Sequence, residues 1–293
     1  MKKHLSYNLL ENLCRKENWN KNSSIRGTAS GITKRSMWVV EQLKEVGLTA
    51  NIHKFEAPTY TPTPKTYSSF ELRTDWQSIK PYFGGNYTRV PLHYVNIEVN
   101  VTNTNHDKSI IYVAHHDVNN ANSENCQDNS ASVCNLISLG ESLKGKELDK
   151  NVYLVFTDCE EFGGKGAKEL ANRINEGVFG NVEYVVNLEL TANGKNLWND
   201  SKNFDNQSSL LDKLKLEGEF TSVKTPFSDS VILRENNIDS VCIGILDDKN
   251  LKQVGESGYC TDWSMCHKVA DTFERGANAD DMDNFVEFLQ KLI

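Results

Sequence analysis

Between residues 110 and 188, three short runs rich in β-branched and aromatic residues, at 110–113, 152–156 and 182–188, alternate with two stretches of helical periodicity, at 130–143 and 165–174. A strand that is apolar at nearly every position, and not only at every second one, is covered on both faces, and strands separated by helices connect in parallel. The alternation predicts the α/β class, a largely parallel central sheet with helices on both sides. At 293 residues the chain is near the size at which one core stops growing, and an apolar content of 38% with five Trp can fill that core. One domain over residues 1–293 is expected, with N-terminal helices and a first strand from residues 1–60 packed on it.

The flanks obey the same rules. Residues 4–15 place Leu5, Leu9, Leu10 and Leu13 on one side of a short amphipathic helix, and a longer helix spans 30–46 with Gly47 at its C-terminal cap. Residues 49–55 alternate as a strand does. The stretch EAPTYTPTPK at 56–65 is rich in Pro and Thr and is expected to be an irregular surface excursion. Further strands are expected at 68–73 and 95–101, with a turn over PYFGGNYTRV at 81–90. Beyond 188 the pattern predicts helices at 208–216, 228–235 and 281–292 and a strand at 240–245, whereas residues 247–266 lack periodicity and read as a long loop.

A net charge of −8 argues against a nucleic-acid surface, which needs Lys and Arg in excess. The opening MKKHLSYNLLENLCRKEN has the basic residues of a signal peptide, but Ser6, Asn8, Glu11 and Asn12 interrupt the apolar core such a peptide requires, and no run approaches a membrane span. Seven cysteines, an odd number without repeating spacing, suit a reduced cytoplasmic protein better than a disulfide framework, although Cys260 and Cys266 are close enough in sequence to pair under oxidising conditions. Neither nucleic acid nor membrane is expected as a partner, and oligomeric state is not legible.

Four phrases sit at or just after the predicted strand ends, where such a sheet carries its functional loops: AHHD at 114–117, QDN at 127–129, CEEFGGKG at 159–166 and NLEL at 187–190. A histidine that ends a strand can aim its ring at a metal while an acid two positions on orients it from behind. His115 with Asp117 has that spacing and leaves His116 as a bystander. Taken alone, such a pair is more often made of ordinary loop histidines. Asp128, between a polar loop and a new helix, is either a metal ligand or a helix cap. Glu160 and Glu161 directly follow a buried strand, where adjacent carboxylates repel unless a cation compensates. They are either a ligand with a proton acceptor beside it or two solvated acids at a helix start. Glu189 repeats the theme, and His267 in MCHKVADTFE adds a second imidazole with an acid four residues later. GGKGAKE lacks the spacing of a phosphate loop, no GxSxG is present, and Cys159 and Cys266 read as small packing residues.

In this order the phrases resemble peptidase family M28, the dinuclear zinc aminopeptidase and glutamate carboxypeptidase group. The family pattern HxD, DN, EE with a Gly-rich turn, NLD, SDHxxFxxxGIP and HxxxDT is similar to HHD at 115–117, DN at 128–129, EE at 160–161, NLE at 187–189, SDSVILRENNID at 228–239 and HKVADT at 267–272. RGTASG at 26–31 resembles the family's entry segment, so the likeness spans roughly residues 26 to 292. It implies a three-layer α/β/α sandwich around a mixed, mostly parallel sheet, of the zinc-exopeptidase or phosphorylase/hydrolase kind, with the site at the carboxyl ends of the strands. It also implies two Zn2+ ions, for which Co2+ or Mn2+ can substitute. His115, Asp128 and Glu189 would hold one, and Asp128, Glu161 and His267 the other, with Asp128 bridging. Asp117 would stand behind His115, and Glu160 would be the general base and then the acid. Family members often have a cis bond after the bridging Asp, which makes Asp128 and Asn129 the candidate pair here. The implied substrate is a peptide with a free N-terminus, and the implied reaction is removal of its first residue.

The chain departs from the family pattern at four places. Glu189 stands where Asp is usual, Ser230 and Asp239 replace the His and Pro of the SDH segment, and Cys266 precedes His267 where a Tyr is common. The last departure leaves the oxyanion stabiliser to Tyr259, chosen by proximity in sequence. Rival readings are a glutaminyl-cyclase-like protein with a single zinc and a homologue that binds metal without catalysis.

Overall fold

The computed structural model describes residues 2–15, 32–62, 87–102, 106–119, 123–203, 208–225 and 227–293. The segment RGTASG at 26–31, the expected strand at 68–73 and the first part of the expected turn at 81–90 lie outside these residues.

Among the described residues, eight strands form one sheet in the order β1-β2-β4-β3-β5-β8-β6-β7. They are β1 (Asn51–Pro62), β2 (Tyr87–Asn100), β3 (Lys108–His115), β4 (Asn151–Thr157), β5 (Asn181–Leu188), β6 (Asn196–Asn199), β7 (Phe220–Ser222) and β8 (Ser240–Leu246). The four central strands β4, β3, β5 and β8 run parallel, while β1, β2 and β6 enter antiparallel to a neighbour, so the sheet is mixed. His115 lies opposite Thr157, and Val113 lies opposite Asn187. The carboxyl ends of β3, β4 and β5 therefore finish almost level, which brings three of the four phrases to one edge.

Successive side chains of a strand point to opposite faces, and each face has its own helical cover. Ile110, Tyr112 and Ala114 pack with α1 (Leu5–Arg15), α3 (Ala131–Leu143) and the closing α10 (Ala279–Gln290), in a core that also takes in Trp38 and Leu43 of α2 (Lys34–Glu45). Ile111 and Val113 pack on the other side with α4 (Lys165–Asn175) and α6 (Asp229–Glu235), through Leu170, Ala171 and Leu233. This is the three-layer arrangement, and it explains why the central runs are apolar without alternation.

Three expectations need correction. Residues 56–62 are not an irregular excursion, because β1 continues to Pro62 in register with β2, and residues 87–90, expected in a turn, are part of β2. The N–H and carbonyl of Val95 both point away from β1, to Asp158 and His116. Every second pair counted from Val95, including Pro58 with Pro91 and Pro62 with Tyr87, therefore exchanges no main-chain bonds, and the missing proline N–H costs nothing there. Residues 247–266 are not a loop either but hold α7 (Asp248–Ser257) and α8 (Thr261–Met265). Asp247 caps α7 by accepting the Asn250 N–H, and few apolar side chains bury: Val254 from α7, and Trp263 against Trp198 from α8. That is too little apolar periodicity to see in sequence. Finally, β6 and β7 were missed because runs of four and three residues carry no period. The remaining α-helices among the described residues are α5 (Ser209–Glu217) and α9 (Phe273–Gly276).

Candidate metal centre

β3 delivers His115 to the level edge with its ring 1% exposed. Its Nε2 lies 3.1 Å from Asp128 Oδ1 and 3.6 Å from Glu189 Oε2. On the far side of Asp128, His267 Nε2 lies 3.1 Å from Asp128 Oδ2 and 2.8 Å from Glu161 Oε2. These are two clusters of potential ligand atoms, His115 with Asp128 and Glu189, and Asp128 with Glu161 and His267, and Asp128 offers one oxygen to each. All five residues expected as ligands are thus brought together, and Asp128 occupies the shared position.

Each segment is held by its local structure. Asp128 lies within the turn Cys126–Ser130, where its backbone and that of Asn129 leave the helical region, and is joined to Asn129 by a cis peptide bond, as expected. The Asn129 side chain donates to the Leu188 carbonyl at 2.9 Å, which ties this turn to the end of β5 beside Glu189. Glu160 and Glu161 lie on the turn after β4, where Gly163 and Gly164 have φ of 94° and 61°, the left-handed region that glycine occupies without strain. Their N–H groups donate to the two oxygens of Asp117 at 3.1 and 3.2 Å. Asp117 Oδ1 also stands 3.3 Å from His115 Nδ1, near enough to steady the ring though off the line of a formed hydrogen bond. Asp117 therefore joins the AHHD and EE segments. His116, the bystander, donates from Nε2 to the Val95 carbonyl, and burial presses its pKa down to about 4.

The electrostatics of the cluster call for a cation. Burial pushes Glu161 and Glu189 up to about 7, with Asp128 adding to both, and holds Glu160 well above the usual carboxylate range, with Glu189 and Glu161 adding to that. Burial opposes the charge of Asp128 as well, yet hydrogen bonds from His115 and His267 keep it below its ordinary value. His267 is pushed up to about 10 by its hydrogen bonds to Asp128 and Glu161. Glu161 Oε1 and Glu189 Oε1 are buried with no hydrogen-bond partner among the described residues. Buried carboxylate oxygens that lack donors are costly alone and are satisfied by metal coordination, so the donor set fits divalent ions bound through N and O.

Sequence reasoning missed some residues that serve this centre. Asp271, noted only as the acid four residues after His267, accepts the N–H groups of Gln127 and Asp128. Asn119 donates to Glu161 Oε2 at 3.1 Å. Asp229, fully buried, accepts from Thr157 Oγ1 while its Oδ1 has no hydrogen-bond partner among the described residues, and burial raises it to about 6. None of these contacts is local in sequence, so spacing gives no signal for them.

The departures find structural roles. Ser230 donates to Asp200, which also accepts from Arg234 and from the Cys242 N–H at the start of β8. Asp239 accepts from the main-chain N–H and hydroxyl of Ser209, at the N-terminus of α5, where an acid is favoured. Cys266 donates its thiol to the Asp262 carbonyl at 3.5 Å. The Tyr259 ring is 47% exposed and its hydroxyl donates to the Trp263 carbonyl at 3.0 Å, so the structure engages it there and not with the carboxylate cluster.

A family model for peptidase family M28 matches residues 96–291, well over half of the chain. The chain belongs to peptidase family M28. Membership makes it a metallopeptidase, and solved structures similar to this M28 chain agree with its architecture. BSAP, a zinc aminopeptidase from Bacillus subtilis, is 13% identical with a TM-score of 0.72, covering 99% of this chain and 94% of that one. The Fimbriiglobus ruber glutaminyl cyclase is 15% identical with a TM-score of 0.70, covering 99% and 93%. An aminopeptidase from Aneurinibacillus sp. strain AM-1 is 12% identical with a TM-score of 0.68, covering 98% and 92%. At such identities the likeness establishes the fold of the M28 chain. No curated protein matches its sequence. Among the described residues, no helix is long and apolar enough to cross a membrane.

Proposed function

We propose that the chain is a dinuclear zinc exopeptidase of the cytoplasm that releases N-terminal residues from peptides. The observation that carries this reading is the pair of ligand clusters sharing Asp128, with a further buried acid, Glu160, on the same turn as Glu161. His115, Asp128 and Glu189 would hold one ion, and Asp128, Glu161 and His267 the other. When bound, the ions supply Lewis acidity, which brings the pKa of a water toward neutrality and polarises a scissile carbonyl.

The remaining work belongs to the chain's own side chains. Glu160 takes the proton of the attacking water and returns it to the departing amine. Its environment suits that task, because burial raises its pKa well above the ordinary carboxylate range and so strengthens its hold on the proton it takes up before passing it to the amine. Asp117 fixes the Glu160 main chain through its N–H and braces His115, so it acts as a positioning residue. The excess of buried acids over bases at the site also favours a cationic group such as the free α-amine of a peptide.

Two overlapping ligand clusters support two ions over the single-zinc, cyclase-like alternative. The test is metal content by elemental analysis and release of amino acids from aminoacyl amides and dipeptides, on one preparation, with and without chelator. About two zincs and chelator-sensitive release are expected, and Glu160→Gln should keep the metal while hydrolysis falls ~10²-fold or more. One zinc with cyclisation of N-terminal Gln, or full activity in the Glu160→Gln variant, would overturn the assignment.

A further inference from the structure

Arg35 lies in the first turn of α2, whose start is fixed by a capping box between Thr33 and Ser36, and it is only 1% exposed. Its Nε donates to the main-chain carbonyl of His116 at 2.6 Å, and its Nη2 donates to Ser130 Oγ at 2.6 Å. Ser130 passes the contact on, donating to the Asn125 carbonyl and so closing the turn that carries Asp128. His116 is the residue after His115, and Ser130 is the second residue after Asp128. One rigid, planar cation therefore spans the two segments that bring His115 and Asp128 together.

The packing of α2 does not account for this residue. The other large buried side chains of the helix, Trp38, Val39 and Leu43, join the apolar core, whereas a guanidinium is costly to bury unless its donors are used. Here Nε and Nη2 are used, and both point at the metal-ligand segments, while Nη1 is buried with no hydrogen-bond partner among the described residues. A lysine could not replace it, because an ammonium on a flexible stem is a point donor and does not hold two acceptors at a fixed separation.

We propose that Arg35 is a positioning residue that sets the separation of the His115 and Asp128 segments, and thereby the metal affinity of the cluster they form with Glu189. This rests on the two-ion reading above. Because the two clusters share only Asp128, the effect falls mainly on one of the two ions.

The test is stepwise zinc affinity, measured by competition with a chromophoric chelator, in wild type, Arg35→Lys and Ser130→Ala, beside thermal melts of the metal-free proteins. Arg35→Lys should hold one zinc equivalent ~10-fold or more weakly while the other changes by less than about threefold. Ser130→Ala, which removes one of the two anchor points, should weaken the same equivalent by a smaller factor. Wild-type affinity for both equivalents in Arg35→Lys overturns the proposal even if the melting temperature drops, since a purely structural arginine behaves that way. Equal weakening of both equivalents overturns it too. If Arg35→Lys does not fold, Ser130→Ala decides on the same readout. A wild-type chain that takes up one zinc overturns the two-ion reading but leaves the ratio of variant to wild-type affinity as the test of Arg35, and a chain that takes up none overturns both.

Discussion

Asp271 accepts the main-chain N–H of Asp128 at 3.2 Å. Its other oxygen accepts the Gln127 N–H at 2.8 Å, and it stands four residues beyond His267 on the same stretch of chain. Two ligands distant in sequence are thus set relative to each other by one buried acid. Asp271→Asn turns one acceptor into a donor that faces an N–H, which should cost about 1–3 kcal/mol of stability and weaken zinc binding ~10-fold. Melting of the metal-free protein and chelator competition read the two effects, and no change in either would leave the contact without a role.

Zinc uptake should release protons at pH 7. Glu161 and Glu189 stand near 7 because of burial, and His267 near 10 because of its hydrogen bonds to Asp128 and Glu161. These groups carry protons in the metal-free fold that coordination displaces, so affinity falls as pH is lowered from about 7 to about 5. The same shifts set the stability of the metal-free chain. The two glutamates favour the fold while protonated, and their contribution is lost as pH rises from 4.5 through about 7. His267 contributes stability that is complete below 6.5 and gone above about 10. Titration calorimetry in two buffers of different ionisation enthalpy counts the protons, and a count of zero at pH 7 would contradict this account.

Glu189→Asp restores the family's usual residue, yet it should weaken zinc binding in this chain. The Glu189 N–H donates to the Ile243 carbonyl at 3.0 Å, so its main chain is pinned to β8. Removing one methylene withdraws the carboxylate by ~1.5 Å, several times the tolerance of a metal-ligand distance. A ~10-fold loss of affinity for one equivalent is expected. Unchanged or tighter binding would show that the main chain moves to compensate.

Gly244→Ala should destabilise the protein by about 3 kcal/mol or more, or prevent its folding. A methyl group at this position in β8 would lie 2.0 Å from the Glu189 carbonyl oxygen and 2.7 Å from Trp198 Cζ2. Backbone cannot swing aside as a flexible side chain can. A variant with wild-type melting temperature would refute the close approach.

What could be read in the sequence was whatever repeats or sits next to a repeat. The runs at 110–113 and 152–156 are apolar because both faces of β3 and β4 are covered, so strand, burial and parallel connection followed together, and His115, Glu160, Glu161 and Glu189 followed as residues at the strand ends. The prolines at 58 and 62 misled because proline speaks against a strand in general, while only its place in the register decides whether an N–H is missed. α7 and α8 carry too few buried side chains to show a period. Arg35 and Asp271 act across 81 and 143 residues of separation, and only the folded chain brings such pairs together.

Among the described residues, the sheet ends differently on its two sides. At β7 it stops with three residues, too few to hold a partner strand in register. At β1 the outward row of main-chain groups lacks donors at Pro58 and Pro62, two gaps within five residues. A neighbouring molecule that tried to add its own strand would find only three residues at β7 and a ladder interrupted twice in the second half of β1. Short and interrupted edges of this kind disfavour strand addition between copies, even though the centre is a broad, strongly apolar sheet.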